Sequence, residues 1–337
     1  MPTRIPSAAR VLRGGVLPLA LALLAVPIRP APAQSLYMPR GVKRAYQRGT
    51  RLPDGRPGPN YWQNRGRYTM TLTVSPPNRR VNGTEQIVYV NNSPDTLARL
   101  QMRFIINIHK AGAERAGNAS EEYITSGVTV DTFAVNGQTT PWRTNAGFTV
   151  QGVTLPSPLL PHDSVRLAFA WHYDVSRESN REGMLDSTTF FLAYAYPRVS
   201  VYDDYSGWDV HNFDDRLEFY SDFNDYDVTV RVPANFVVWG TGTLRNASEV
   251  LQPAILQRYQ SSLTSPQTIN VATLAEMRAH AVTAQQPMNG WHFTATNVPD
   301  ATFATSDHYV WDAGSVAVAE GRPRVSVQAA YNDTAAD

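Results

Sequence analysis

The chain has no cysteine among its 337 residues, so no disulfide can staple it and no thiol can act as nucleophile or metal ligand. Stability has to come from the size of the core. Long apolar runs are missing as well: Val16 to Val26 (VLPLALALLAV) is too short for a hydrocarbon core that needs about 20 residues, and no later segment is long enough to span. Neither sign of charge dominates. Thirty Lys plus Arg face 29 Asp plus Glu, and removing residues 1–33, which carry Arg4, Arg10, Arg13 and Arg29 and no acid, turns +1 into −3. Without a basic surplus there is no phosphate-neutralising footprint, and no nucleic-acid partner is expected.

Catalytic signatures are absent too. A helical His-Glu-x-x-His would set two imidazoles one turn apart, about 5.4 Å along the axis, around one metal. Here the seven histidines are followed by Lys110, Asp163, Tyr173, Asn212, Ala281, Phe293 and Tyr309, and His172 reads as a surface residue on the polar side of a strand. There is no Gly-x-Ser-x-Gly elbow and no phosphate loop. Trp239-Gly240-Thr241-Gly242 lacks the third glycine and the following helix of a dinucleotide site, and reads as a strand bulge. No catalytic residue and no metal ligand is expected in this chain.

What is present points to a large exported β protein. Hydrophobic residues make up 42% and aromatics 10% of the chain, ample for a packed core. Arginines, the Val16–Val26 run and Ala31-Pro32-Ala33 form the three-part layout of a secretory signal, so cleavage after Ala33 and a periplasmic or extracellular location are expected, with no membrane span afterwards. Residues 34–59 are rich in Pro, Gly and Arg (RLPDGRPGPN) and read as an extended leader. From Tyr68 a period of two takes over: Tyr68, Met70, Leu72 and Val74 oppose Thr69, Thr71 and Thr73. The same alternation recurs at Leu100–Ile108, Val165–Tyr173, Val228–Val232 and Val325–Ala329. Asn136-Gly137 fits a tight hairpin, and only Leu274 to Ala281 reads as a short helix. Alternating strands with wet opposite faces imply a mainly β architecture of antiparallel or mixed sheets.

The densest unusual stretch runs from Phe191 to Val228. It interleaves tyrosines (Tyr194, Tyr196, Tyr202, Tyr205, Tyr220, Tyr226) with acids from Asp203 to Asp227. Three readings stand: a calcium site built from hard oxygen ligands, a docking or ligand-facing surface in which Tyr and Trp supply apolar area with a polar tip, and solvated acidic turns.

Within that stretch, Tyr196-Pro197-Arg198, Tyr202-Asp203-Asp204, Gly207-Trp208, Glu218-Phe219-Tyr220 and Tyr226-Asp227-Val228-Thr229-Val230-Arg231-Val232-Pro233 resemble the N-terminal domain of aminopeptidase N-like zinc metallopeptidases. So do Val238-Trp239-Gly240-Thr241-Gly242-Thr243-Leu244 and, earlier, Tyr68–Val74, Val81-Asn82-Gly83-Thr84-Glu85 and Tyr89-Val90-Asn91-Asn92-Ser93. The resemblance covers most of 60–337. It implies a saddle-like β domain lining one wall of the cleft of a separate catalytic domain, which brings the zinc helix and a Gly-x-Met-Glu-Asn loop for the peptide amino terminus. This sequence has neither; Gly183-Met184-Leu185-Asp186 is only an echo of the second. The family's N-terminal domain often lends the site a Gln or Glu shortly before the proline segment. The matching region here holds Tyr194, with no amide or carboxylate between Phe190 and Tyr196, and Glu218 is the second candidate for the substrate cleft.

The resulting expectation is a non-catalytic N-terminal fragment of an exported peptidase. Its partners would be the missing C-terminal catalytic domain, which carries the zinc, and in the whole enzyme a peptide substrate. The alternatives are a self-contained secreted β module that binds peptide, glycan or protein through its Tyr and Trp surface, and a degenerate homologue that keeps the domain as scaffold.

Overall fold

The computed structural model describes residues 37–143, 148–179 and 181–333. By its internal contacts the chain divides into Met1–Arg40 and Gly41–Asp337; the expected export signal, 1–33, lies outside the described residues. Among these, no helix is long and apolar enough to cross a membrane. Helix α1 (Arg40–Arg48) corrects the expected extended leader. Its side chains are mostly polar and Ala45 is its one buried residue, so no apolar period announced it.

The architecture is mainly β. An eight-stranded sheet runs edge to edge as β15 (Thr243–Leu244), β17 (Met288–Val298), β13 (Asn224–Pro233), β1 (Arg65–Ser75), β2 (Asn78–Val90), β7 (Ser164–Asp174), β4 (Thr129–Val135) and β5 (Gln138–Thr139). Its pairings are antiparallel except for β1 with β13. A second sheet orders β10 (Arg198–Val199), β3 (Leu97–Arg103) and β6 (Val150–Leu159); a third, β14 (Val237–Gly240), β18 (Phe303–Ser306), β9 (Phe190–Leu192) and β8 (Gly183–Met184). The remaining sheets join β11 (Tyr202–Asp203) to β12 (Gly207–Trp208), and β16 (Ile269–Ala272) through β19 (Val310–Val316) to β20 (Val325–Tyr331).

Period two explains the large sheet. Tyr68, Met70, Leu72 and Val74 of β1, Val165, Leu167, Phe169, Trp171 and Tyr173 of β7, and Val228, Val230 and Val232 of β13 are all buried in one apolar cluster. Asn136 and Gly137, both at positive φ, close the hairpin between β4 and β5. Gly242 corrects the bulge reading: at φ +97° it turns the chain from β14 in one sheet to β15 in another. A Cβ there would meet the Thr294 carbonyl oxygen at 2.4 Å, so the crossing requires glycine.

Two strand expectations fail for identifiable reasons. The alternation Leu100–Ile108 breaks at Arg103, after which Ile105–His109 forms a 3-10 turn, every residue of it buried. Tight turns eclipse i and i+3, so apolar residues on all sides mimic a strand. Strand β20 exists where expected, but all seven of its residues are exposed; alternation there does not mark a core face. Among helices, α4 (Leu274–Arg278) appears within the expected segment, capped by Thr273 and Glu276 in a reciprocal box. Two more went unread: α2 (Ala247–Val250) and α3 (Pro253–Ser262), the latter burying Ile255, Tyr259 and Ser262 at helical spacing behind an N-terminal proline.

Phe169 packs against Phe133 at 4.6 Å, Trp142 at 5.7 Å and Phe104 at 6.5 Å between ring centroids. Phe169→Ala is expected to cost about 3–5 kcal/mol by urea denaturation and Phe169→Asp to abolish the cooperative transition, whereas Val327→Thr on exposed β20 should leave the midpoint nearly unchanged. An unaltered midpoint for Phe169→Asp would refute the inward assignment.

Glu85 occupies a core position of β2, and neither carboxyl oxygen has a hydrogen-bond partner. Burial pushes its carboxyl well above the usual range, opposed by the Arg198 charge. The folded chain therefore holds a proton that the unfolded chain releases near pH 4, and stability falls as pH rises above that value. Glu85→Gln removes this dependence: its stability advantage should grow by about 1.4 kcal/mol per pH unit until the folded carboxyl ionises. Thermal melts of both proteins at pH 4 and pH 8 check it; a constant difference means that Glu85 is ionised in the fold.

Candidate functional site

Two buried guanidiniums set the geometry around Tyr194. Arg103 at the end of β3 donates to Ser200 Oγ and to the His211 carbonyl, each at 3.1 Å, and pairs with Asp209. Arg198 on β10 places Nη2 2.8 Å from Asp300 Oδ1 and its guanidinium over the Tyr196 ring at 4.5 Å. Burial opposes its charge, but Asp300 and Tyr196 more than offset this and raise its pKa. Between the two lies Phe219, its ring centroid 5.6 Å from Arg103 Cζ and 5.4 Å from Arg198 Cζ, contacts worth about 2 kcal/mol when desolvated.

Tyr194 rests on this clamp. Its ring meets Phe219 edge-on at 5.4 Å and Phe213 at 6.0 Å. Its backbone is left-handed, φ +59°, a conformation that costs a bulky residue roughly 1–3 kcal/mol and that the packing on both sides sustains. Arg181 then donates to the Glu218 carboxylate and stands beside Tyr194, and both neighbours raise the guanidinium pKa, Tyr194 most. The structure thus brings together the two residues singled out from the sequence, at the lip of one cavity of about 130 Å³.

Its floor is the 3-10 turn, which contributes Ile105, Ile106 and Ile108. Deeper in, His109 is buried with Nδ1 2.9 Å from the Tyr123 carbonyl oxygen and Nε2 against Glu182 Oε1. Both ring nitrogens face acceptors. Glu182 Oε2 is buried without a partner. Asp215, at φ +70°, completes the acidic side; burial raises its pKa and His109 opposes the shift.

Arginine, histidine and carboxylates are here largely matched to one another, and no Ser, Thr or Lys lines the cavity among the described residues. Such a surface can hold and orient a cationic or hydrogen-bonding group; it offers no nucleophile poised on a base. Nor do the residues fit zinc, which takes at least three side-chain donors. Among the described residues no group of three His, Asp or Glu is gathered to hold a metal, and His109 and Glu182 are already engaged with each other. His109, Arg181, Glu182 and Asp215 escaped the sequence reading. They come from three separate loops or turns, and the one available signal was the break of period two at Arg103.

No family model and no curated protein matches the chain. Among solved structures it is similar to the M1 zinc metallopeptidase of Deinococcus radiodurans, at 15% identity over 80% of this chain and 48% of that one, TM-score 0.45. A point mutant of the same enzyme gives 16% identity, 82% and 50% coverage and TM-score 0.45. Aminopeptidase A of Legionella pneumophila in complex with aspartic acid gives 9% identity, 80% and 24% coverage and TM-score 0.42. The chain spans about half the length of the Deinococcus structures it matches.

Proposed function

We propose that this chain is the non-catalytic N-terminal β domain of an exported aminopeptidase N-like zinc metallopeptidase, and that Tyr194 and Glu218 face the cleft in which the whole enzyme binds the amino end of a peptide. One observation carries the reading: Tyr194 and Glu218, chosen separately along the sequence, meet at one cavity and share Arg181. A second supports it. Tyr194 keeps a strained backbone, and strain of this kind clusters where a side chain has to be aimed. The Tyr194 ring face and the half-exposed Glu218 carboxylate are both suited to a peptide ammonium. The zinc and its activated water are assigned to polypeptide other than the described residues, and export to the segment 1–33.

The purified chain should neither hydrolyse aminoacyl chromogenic amides nor bind stoichiometric zinc; turnover by this chain alone, abolished by a chelator, would overturn the proposal. Extending the coding sequence past Asp337 should reveal a His-Glu-x-x-His. In the full-length enzyme, Tyr194→Ala is expected to lower kcat/KM roughly 10- to 100-fold, the loss of one contact to a charged group. Unchanged turnover and affinity would remove Tyr194 from the cleft.

A further inference from the structure

The Tyr- and Asp-rich segment builds a second cavity, of about 310 Å³, that shares no lining residue with the first. Its size lies at the lower end of the range for small-ligand sites. Five aromatic residues wall it: Tyr61, Trp62, Tyr202, Tyr205 and Tyr220, with Trp62 stacked on Tyr202 at 5.7 Å between centroids.

The charges in this cavity do not balance. Asp203, Asp204 and Asp222 line it against one cation, Arg51. Arg51 is committed to Asp204, with Nη2 2.7 Å from Oδ1 and Nε 3.0 and 3.1 Å from the two oxygens, while Thr50 donates to the same carboxylate. Asp203 accepts from the Tyr205 amide at 2.9 Å and the Tyr220 hydroxyl at 3.3 Å, and its distance to Arg51 is 3.5 Å. Asp222, only 8% exposed, has no paired cation among the described residues, and the Gln63 side chain nearby only partly offsets its burial. Burial, with repulsion from Asp203, pushes the Asp222 carboxyl up to about 7. Two carboxylates are thus left without a matched cation in a half-enclosed aromatic box.

The cavity also shows how it treats a cation. The Arg51 guanidinium is held by carboxylates and lies over the Tyr205 ring, 4.9 Å from its centroid. A second cation would meet the same chemistry from Asp222, Asp203 and the remaining rings. A neutral sugar would leave both carboxylates uncompensated. A divalent metal lacks three gathered ligands and gains little from ring walls. We propose that this cavity binds an organic cation, an alkylammonium or alkylguanidinium head, against Asp222 and Asp203, with its apolar stem against Trp62, Tyr61 and Tyr220. Such a head comes from a free small amine or from a Lys or Arg side chain of a peptide. The proposal does not rest on the peptidase reading, and either can fail alone.

Isothermal titration of the purified chain tests it, with butylammonium, butylguanidinium and the neutral isostere butylurea as probes. Both cations should bind at least about tenfold tighter than butylurea, and Asp222→Asn should lose about tenfold for the cations alone. The groups facing Asp222 are Asp203, Tyr61 and Tyr89, with Arg51 beyond Asp203. The two phenols have raised pKa values and Arg51 stays charged, so the carboxylates alone titrate and cation affinity should rise between roughly pH 5 and pH 8. A blocked Gly-Lys-Gly peptide binding as well as butylammonium identifies a peptide side chain as the source; binding of the free ions without the peptide identifies a small amine. Equal affinity for butylurea, or an affinity flat with pH, overturns the proposal. So does an Asp222→Asn protein with an unchanged thermal midpoint and undiminished binding; the butylurea comparison needs no variant.

Discussion

The site depends on holding two like charges side by side in the interior. Arg103 and Arg198 are direct partners across the β3–β10 pairing, an arrangement that repels when unaided, and burial pulls the Arg103 guanidinium below its ordinary value. Each is rescued by its own carboxylate, Asp209 and Asp300, and Phe219 is set between them as a shared ring. Removing either carboxylate would strand a buried cation, a defect that costs about 3–5 kcal/mol. The clamp ties three stretches together: the Tyr196-Pro197-Arg198 segment through Asp300, the Asp209–His211 loop through Arg103, and Phe219. Tyr194 and Glu218 are carried on the last of these, Tyr194 by ring contact and Glu218 as its chain neighbour.

Such a clamp is invisible to periodicity. The centre of the large sheet was legible because one side of each of β1, β7 and β13 faces a common core and the other faces water, which writes burial directly into alternate letters; β17 carries the same alternation and was not picked out. Elements without that asymmetry were misread. The 3-10 turn Ile105–His109 is buried on every side and β20 on none, and in both cases alternating apolar letters carried no information about a face. Helix α3 was hidden for another reason: its sequence, PAILQRYQSS, places only Ile255 and Tyr259 as large buried residues, too few to stand out against the strand pattern around it.

The candidate site divides in the same way. Tyr194 and Glu218 were reachable because they flank a recognisable segment. Arg181, Glu182, His109 and Asp215 were not, since their meaning is relational: a histidine after three isoleucines says nothing until Tyr123 offers a carbonyl to one nitrogen and Glu182 a carboxyl to the other. What a single sequence transmits is which residue types are unusual in number. The excess of Tyr and Asp between 191 and 228 fits a ligand-facing surface, a calcium site or solvated turns; the structure distributes it over one clamp and several cavities, those at Tyr194 and Asp222 among them.

Those two cavities differ in how their charges are balanced. Around Tyr194 most polar groups are paired locally, Arg181 with Glu218 and His109 with Glu182, so a visiting group meets a surface whose dipoles are already fixed, and little reorganisation is required when it arrives. Around Asp222 the balance is left open, and the electrostatic gain is realised only when a cation enters. A neutralised wall suits a residue that orients part of a substrate whose chemistry happens elsewhere. An unneutralised box suits occupancy itself, because the protonation of its carboxylates and the presence of the guest are then linked. The fold keeps the two apart by giving the first to the turn after β3 and the second to the hairpin of β11 and β12, so that filling one need not disturb the other.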